Sequence, residues 1–323
     1  MDSRRLHAFV KIVDIGSLTR AAAILHIAQP ALSQQIVALE THFGKQLLVR
    51  SKRGVLPTEA GKTLYRHAQV VLRQLDQAKT DINNTGRTIA GQVNVGLAPL
   101  STAATLALPL LKAVRERYPG IVLQINENIG GVISELIMTG KMDLAFIYDP
   151  GTIRGVKFEP ILTEELFLVA PRPLLDPKKA DRTEIATEDV GGLDLVLPTK
   201  IHTVRQLVDI TFRRVGVDAM VIAEIESVPT IARAVWEGLG ATILPWSAAH
   251  AIASGRDDVI VQRITAPSMH TKVSLCTSDQ WPLSEPAQVV KDLLAEIAHA
   301  YAAEPQADGL TPMGRKERKR KVA

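Results

Sequence analysis

The chain has 323 residues, room for about two domains, and its 46% hydrophobic and 22% charged content is that of a soluble globular protein, which excludes collagen-like, disordered and disulfide-scaffold classes. A single cysteine, Cys276, can close no internal disulfide and supply no thiolate zinc cage, and 4% aromatics is too sparse for a stacking platform along single-stranded nucleic acid. The net charge of +4 is unevenly spread: residues 1–90 carry thirteen Lys/Arg against six Asp/Glu, residues 91–303 nineteen against twenty-five, and residues 304–323 six against three, so a basic head precedes a mildly acidic body.

Neither candidate membrane segment reads as one. Arg4, Arg5, Lys11 and Asp14 interrupt Met1–Leu18, which therefore lacks the apolar core of a signal peptide. The uncharged stretch Thr88–Leu111 is broken by Gly91, Asn94, Gly96, Pro99 and Pro109 and makes no spanning helix. The expectation is a cytoplasmic protein with no membrane partner.

Leu6, Phe9, Val10 and Val13 recur at helical spacing and predict a first helix that stops at Asp14-Ile15-Gly16-Ser17. Ser17 can cap a second helix, whose apolar face is Leu18, Ala21, Ala22 and Leu25. After His26-Ile27-Ala28 a third helix begins, with Pro30 in the first turn, where its missing N–H costs nothing. Leu32, Ile36, Leu39 and Phe43 would face the core. At about 100° per residue, Pro30, Ser33, Gln34, Val37 and Thr41 then lie opposite, with Gln29 leading.

That opposite face carries no acidic residue. Gln can make two hydrogen bonds to an adenine edge, Ser can reach a groove edge, and the Pro ring can lie against a thymine methyl. An ordinary three-helix packing unit is the plain alternative; a helix-turn-helix whose third helix enters the major groove is the sharper one. The next segment, Leu47 to Thr58, sets two short apolar runs around a basic, glycine-containing turn and predicts a β-hairpin wing. Its Arg50, Lys52 and Arg53 would sit at phosphate height and fix register without reading sequence.

Several blocks together carry a resemblance. They are Gly16-Ser17-Leu18-Thr19-Arg20-Ala21-Ala22, Gln29-Pro30-Ala31-Leu32-Ser33-Gln34-Gln35-Ile36, Leu39-Glu40 and Pro57-Thr58-Glu59-Ala60-Gly61. In content and spacing they resemble LysR-type transcriptional regulators. Ala28 and Leu48 depart from the residues common there, Ser and Phe. Through Val10-Lys11-Ile12-Val13-Asp14-Ile15-Gly16, His26-Ile27-Ala28-Gln29-Pro30 and Lys52-Arg53-Gly54-Val55 the chain is most similar to the nitrogen assimilation control subgroup.

From Glu59 a long helix is predicted, capped by Thr58. Leu64, Ala68, Val71, Leu75, Ala78, Ile82, Thr85 and Ile89 follow at alternating spacings of four and three, with polar residues around the remaining circumference. This reads as a dimerisation helix, and a dimer would set two recognition helices one DNA turn apart, on a pseudo-palindrome. The resemblance implies the same homodimer, its pairing into a homotetramer, and promoter DNA and RNA polymerase as partners.

The body alternates short strands and helices. Val93–Leu97, Ile121–Ile125, Leu144–Tyr148, Leu166–Val169, Leu193–Leu197, Val221–Ile225 and Ala241–Leu244 read as strands, Thr203–Val215 and Thr230–Gly238 as helices. The resemblance implies two Rossmann-like α/β subdomains of the periplasmic-binding-protein type, with the chain crossing near Leu162, returning near Ala266, and closing with a helix over Ser284–Ala302. The expected domains are thus a winged helix-turn-helix over 1–58, a dimerisation helix over 59–90, and a regulatory domain over 91–303. Subdomain I would comprise 91–162 and 266–303, and subdomain II 163–265. A disordered basic tail over 304–323 would follow, with six cations among the seven residues Arg315–Lys321.

In such sheets ligands sit beyond the strand carboxyl ends, against helix N-termini. Ser101, Thr102, Asn128, Thr199, His202, Thr203 and Ser227 fall at these junctions, and the resemblance places an effector cleft there, with Tyr148 and Trp246 lining it. Ser, Thr and Asn after strands are also ordinary helix caps, so capping and contact with a small organic co-inducer both stay open for each. No resident cofactor or metal is expected. Gly238-Leu239-Gly240 lacks the third glycine of a dinucleotide loop and precedes a strand, and there is no GxSxG, HExxH or Walker A motif. An enzyme is therefore not expected. The alternative to a sequence-specific regulator is a small-molecule-binding protein whose basic head serves another purpose.

Overall fold

The computed structural model describes residues 2–51, 54–84, 89–305 and 307–313. Two compact units divide the chain, Met1–Arg87 with Thr139–Lys141, and Thr88–Met138 with Met142–Ala323.

In the first unit α1 (Ser3–Ile15), α2 (Leu18–Ile24) and α3 (Gln29–Phe43) precede a hairpin of β1 (Leu48–Ser51) and β2 (Gly54–Pro57), and then α4 (Glu59–Asn84). The sequence sets each break. Gly16 takes the left-handed conformation that ends α1, and the Ser17 hydroxyl then accepts from the Arg20 N–H to start α2. Leu6, Phe9 and Ile12 of α1, Ala21 of α2, and Leu32, Ile36 and Leu39 of α3 are buried together. Phe43 departs from its predicted core position. No residue between Leu39 and Leu47 enters the buried cluster, and Phe43, in the last turn before Gly44, is 41% exposed with its ring edge-on to His42.

Along α4 the apolar stripe divides. Leu64, Ala68 and Leu72 pack toward the cluster, whereas Val71, Leu75 and Ile82 are exposed, the last two at 43% and 73%. The predicted repeat runs past the helix. Ile89 is not on it and stands directly before the next strand, and Thr85 lies outside the described residues.

The second unit opens with β3 (Ala90–Leu97), the single turn α5 (Thr102–Thr105), α6 (Ala107–Arg117), β4 (Gly120–Glu127), α7 (Gly130–Met138) and β5 (Leu144–Tyr148), in which β4, β3 and β5 pair parallel. The sixteen-residue β6 (Val156–Pro171) follows. After it come α8 (Pro177–Ala180), β7 (Glu184–Ala186), α9 (Thr187–Val190), β8 (Leu195–Leu197), α10 (Thr203–Val215), β9 (Val221–Glu224), α11 (Val228–Trp236), β10 (Thr242–Pro245) and α12 (Trp246–Ala253). The chain ends with β11 (Val259–Thr265), β12 (His270–Ser278), α13 (Glu285–Ala302) and β13 (Leu310–Pro312).

β6 joins two sheets. Val156–Glu165 pairs antiparallel with β12, and Phe167–Pro171 pairs with β11, while β10 flanks Leu166–Val169. This one strand thus serves both subdomains, with Leu162 paired to β12 and Leu166 to β10, and the return passes through a cis Ala266–Pro267 bond. The predicted disordered tail is corrected in part. Ala307 and Leu310 are buried, and β13 pairs with Leu162–Glu164 of β6, since that edge of the strand is otherwise open. The Arg315–Lys321 run lies outside the described residues. Among the described residues no single helix is long and apolar enough to cross a membrane.

Candidate functional site

Two sites emerge, one in each unit. In the first, Gln29, Pro30 and Gln34 stand exposed on α3, and Ser33 is half-buried among them. Ala28 precedes the helix without a side-chain cap, and Pro30 in the first turn has no N–H that would need one. From β1, the Arg50 guanidinium donates to the Ser33 hydroxyl at 2.9 Å. The hairpin thus brings Arg50 beside the exposed α3 face. Lys52 and Arg53 lie outside the described residues.

The hairpin is held by a residue named only as part of a motif. Glu40 Oε1 accepts from the backbone N–H groups of Leu47 (2.8 Å) and Leu48 (3.2 Å), fixing the start of β1 to α3. Thr58 closes the other end, its hydroxyl donating to the Gln46 carbonyl at 2.8 Å and accepting from the Gly61 N–H at 3.0 Å. Gly61 packs so close to the Leu47 carbonyl that a Cβ there would collide with it. The Pro57–Gly61 block is thereby a close backbone approach between hairpin and helix.

In the second unit a cavity of about 20 Å³, room for about one water, lies between the N-termini of α7 and α10. Pro99, Leu100, Gly130, Tyr148, His202 and Thr203 are among its lining residues. The His202 imidazole is buried with Nε2 unpartnered, and burial lowers its pKa, which favours the neutral ring, against the Glu226 carboxylate. Of the nine predicted effector contacts, the fold brings Tyr148, His202 and Thr203 to this cavity. Ser101 caps α5, accepting from the Ala103 N–H at 3.0 Å, and Asn128 accepts from the Ile129 N–H at 2.9 Å. Thr199 donates to Glu226 at 3.0 Å, and Ser227 is exposed at the start of α11. Thr102 and Trp246 are engaged elsewhere.

Thr102 belongs to a cluster that sequence reasoning missed. Glu164, fully buried on β6, accepts from the Thr102 hydroxyl (2.8 Å), the Ser247 hydroxyl (2.9 Å), the Tyr148 hydroxyl (3.2 Å) and the Thr102 N–H (3.2 Å). Burial raises its pKa while the Thr102 and Ser247 bonds pull it down, and both burial and the neighbouring carboxylate keep the Tyr148 phenol protonated. Nothing in Leu162-Thr163-Glu164-Glu165-Leu166 marks which carboxylate turns inward. Its burial follows from the three partners, drawn from distant segments.

A winged helix-turn-helix unit in the same chain as a two-subdomain α/β unit with a cleft is the composition of a DNA-binding transcriptional regulator with a ligand-binding domain. Residues 3–62 match the bacterial regulatory helix-turn-helix protein, lysR family, and residues 86–298 match the LysR substrate binding domain. The chain belongs to the LysR family, and it is a transcriptional regulator, not an enzyme. It is 43% identical, over 92% of its length and 95% of the relative's, to the nitrogen assimilation regulatory protein nac of Klebsiella aerogenes. Its fold is that of full-length OxyR from Pseudomonas aeruginosa (TM-score 0.71, 24% identity, 98% of this chain and 99% of that one). Full-length CbnR complexed with its target DNA is similar as well (TM-score 0.64, 20% identity, 92% and 100% of the two chains).

Proposed function

We propose that this regulator acts in the cytoplasm as a dimer or tetramer on pseudo-palindromic promoter sites, reads bases through Gln29, Pro30, Ser33 and Gln34, and holds phosphates with Arg50, Lys52 and Arg53. The observation that carries this reading is the exposed, acid-free face of α3 with Arg50 bonded alongside it. The similarity to the Klebsiella protein supports nitrogen-assimilation genes as the targets. RNA polymerase would be the partner at the promoter.

Self-association is supported by apolar surface that a lone protomer leaves in water. Residues 59–90 would form the dimerisation element, through Val71, Leu75 and Ile82 of α4. A second contact, needed for a tetramer, is supported by exposed Leu108 and Leu111 on α6 with Val122 on the edge strand β4, and by Ile210 on α10 with Ile222 on β9. A small organic effector would enter the cavity lined by Tyr148, His202 and Thr203. At about 20 Å³ that cavity takes such a molecule only when the subdomains part.

The test is a salt titration of binding to the duplex upstream of the protein's own gene, against a scrambled duplex of equal length. The expected result is a large affinity gap that survives at physiological salt, narrowed by Gln29→Ala and left intact by Arg53→Ala, which weakens both duplexes alike. Equal affinities that collapse together as salt rises would overturn the reading.

A further inference from the structure

Two sets of contacts join the subdomains where β6 crosses between them. The first is Glu164, which holds Thr102 of subdomain I and Ser247 of subdomain II on one carboxylate. The second is made by the segment that follows α13. At Leu162–Glu164, β12 pairs with one edge of β6 and β13 with the other, and the Glu165 N–H donates to the Gly309 carbonyl at 2.9 Å.

The segment starts in subdomain I, where α13 packs on β3 and α6, and reaches subdomain II at two side chains. Asp308 accepts from Trp246 Nε1 of α12 at 2.9 Å, and from Arg263 Nη2 of β11 through both its carboxylate (3.2 Å) and its carbonyl (3.1 Å). Gly309 lies against the Trp246 side chain, where a Cβ would collide with it, and Ala307 and Leu310 are buried beside it. Trp246 also meets Tyr301 of α13 edge-on, at 6.2 Å. This is why Trp246 does not line the cavity. The match to the family's substrate binding domain ends at residue 298, before Tyr301, Asp308 and Gly309.

We propose that Ala307–Met313 is an intramolecular strap that latches the two α/β subdomains in the closed-cleft arrangement, so that the cleft opens when the strap leaves β6. A strand pairing with a shared β6, anchored through Asp308 to one side and through α13 to the other, resists a relative motion that separates Thr102 from Ser247. The strap is three strand residues and two side-chain anchors, small enough to detach without unfolding either subdomain.

Hydrogen exchange, read by mass spectrometry on the full-length protein, tests this. Asp308→Ala, Gly309→Val and a chain ending at Ala303 are expected to speed exchange by about tenfold or more in peptides covering 161–166, and also around Thr102 and Ser247. A chain ending at Met313, which keeps the strap, is expected to exchange like the full chain. Peptides from α6 report whether a variant has merely unfolded the unit; if Gly309→Val does so, Asp308→Ala, which leaves the backbone and its packing in place, decides. Unchanged exchange, or faster exchange confined to 161–166, would overturn the proposal. The readout needs neither DNA nor effector, so its failure is separate from failure of the DNA-reading assignment.

Discussion

Arg50 and Ser33, seventeen residues apart, are joined by a hydrogen bond of 2.9 Å between guanidinium and hydroxyl. The bond couples the hairpin to the exposed face of α3, so a residue proposed to hold phosphate also orients one proposed to read bases. Both partners are solvent-accessible, and the bond itself contributes little to stability. Its effect should lie in preorganisation of the interface. In a double-mutant cycle, Ser33→Ala and Arg50→Ala should be non-additive on DNA affinity by about 0.5–2 kcal/mol. Fluorescence anisotropy with the four proteins measures this, and strict additivity would show that the bond is dispensable once DNA is bound.

Glu40 is expected to matter more for folding than its position in the motif suggests. Its carboxylate accepts from both the Leu47 and Leu48 N–H groups, and Leu47 is buried. Glu40→Ala should destabilise the first unit by about 1–3 kcal/mol, because two backbone donors lose their acceptor. Urea unfolding followed through that unit should show the loss. An unchanged midpoint would mean that water replaces the carboxylate at no cost.

Leu75→Glu and Ile82→Lys should dissociate the dimer while leaving the protomer folded, since both side chains are already exposed in a single chain. Sedimentation velocity reads the first effect and circular dichroism the second. DNA affinity should fall with the dimer, because each half-site then binds alone. A variant that stays dimeric would move the interface off this face of α4.

His202 should give the second unit a pH-dependent stability. Its pKa is lowered from the ordinary 6.5 by burial, so the unfolded chain binds the proton more readily. The resulting stabilisation is fully present above about 6.5 and is lost as pH falls through the lower folded value. Thermal melts between pH 7 and pH 5 should show a smaller decline for His202→Gln than for the parent chain, and the difference between the two isolates the imidazole from other titrating groups. Parallel declines would place His202 in contact with solvent.

Local pattern was enough for the elements built from near neighbours. The spacing of apolar residues gave Thr203–Val215 and Leu144–Tyr148 with their observed ends, and Gly16-Ser17 and Pro30 marked the breaks around α2 and α3, because capping and periodicity act within a turn or two. The order of charge, recognition face and basic hairpin was equally local, and with it the class of protein. The first half of β6, with Lys157, Glu159 and Pro160 among its residues, carries no such signal, and its partner β12 lies more than a hundred residues further along. Pairing across that distance decided that Glu164 is buried, that Trp246 packs against Asp308 and Gly309, and that Tyr148, His202 and Thr203 of the nine expected residues share a cavity. A strand's neighbours fix which side of it water can reach, and those neighbours are chosen by the whole fold, not by the residues beside it in sequence.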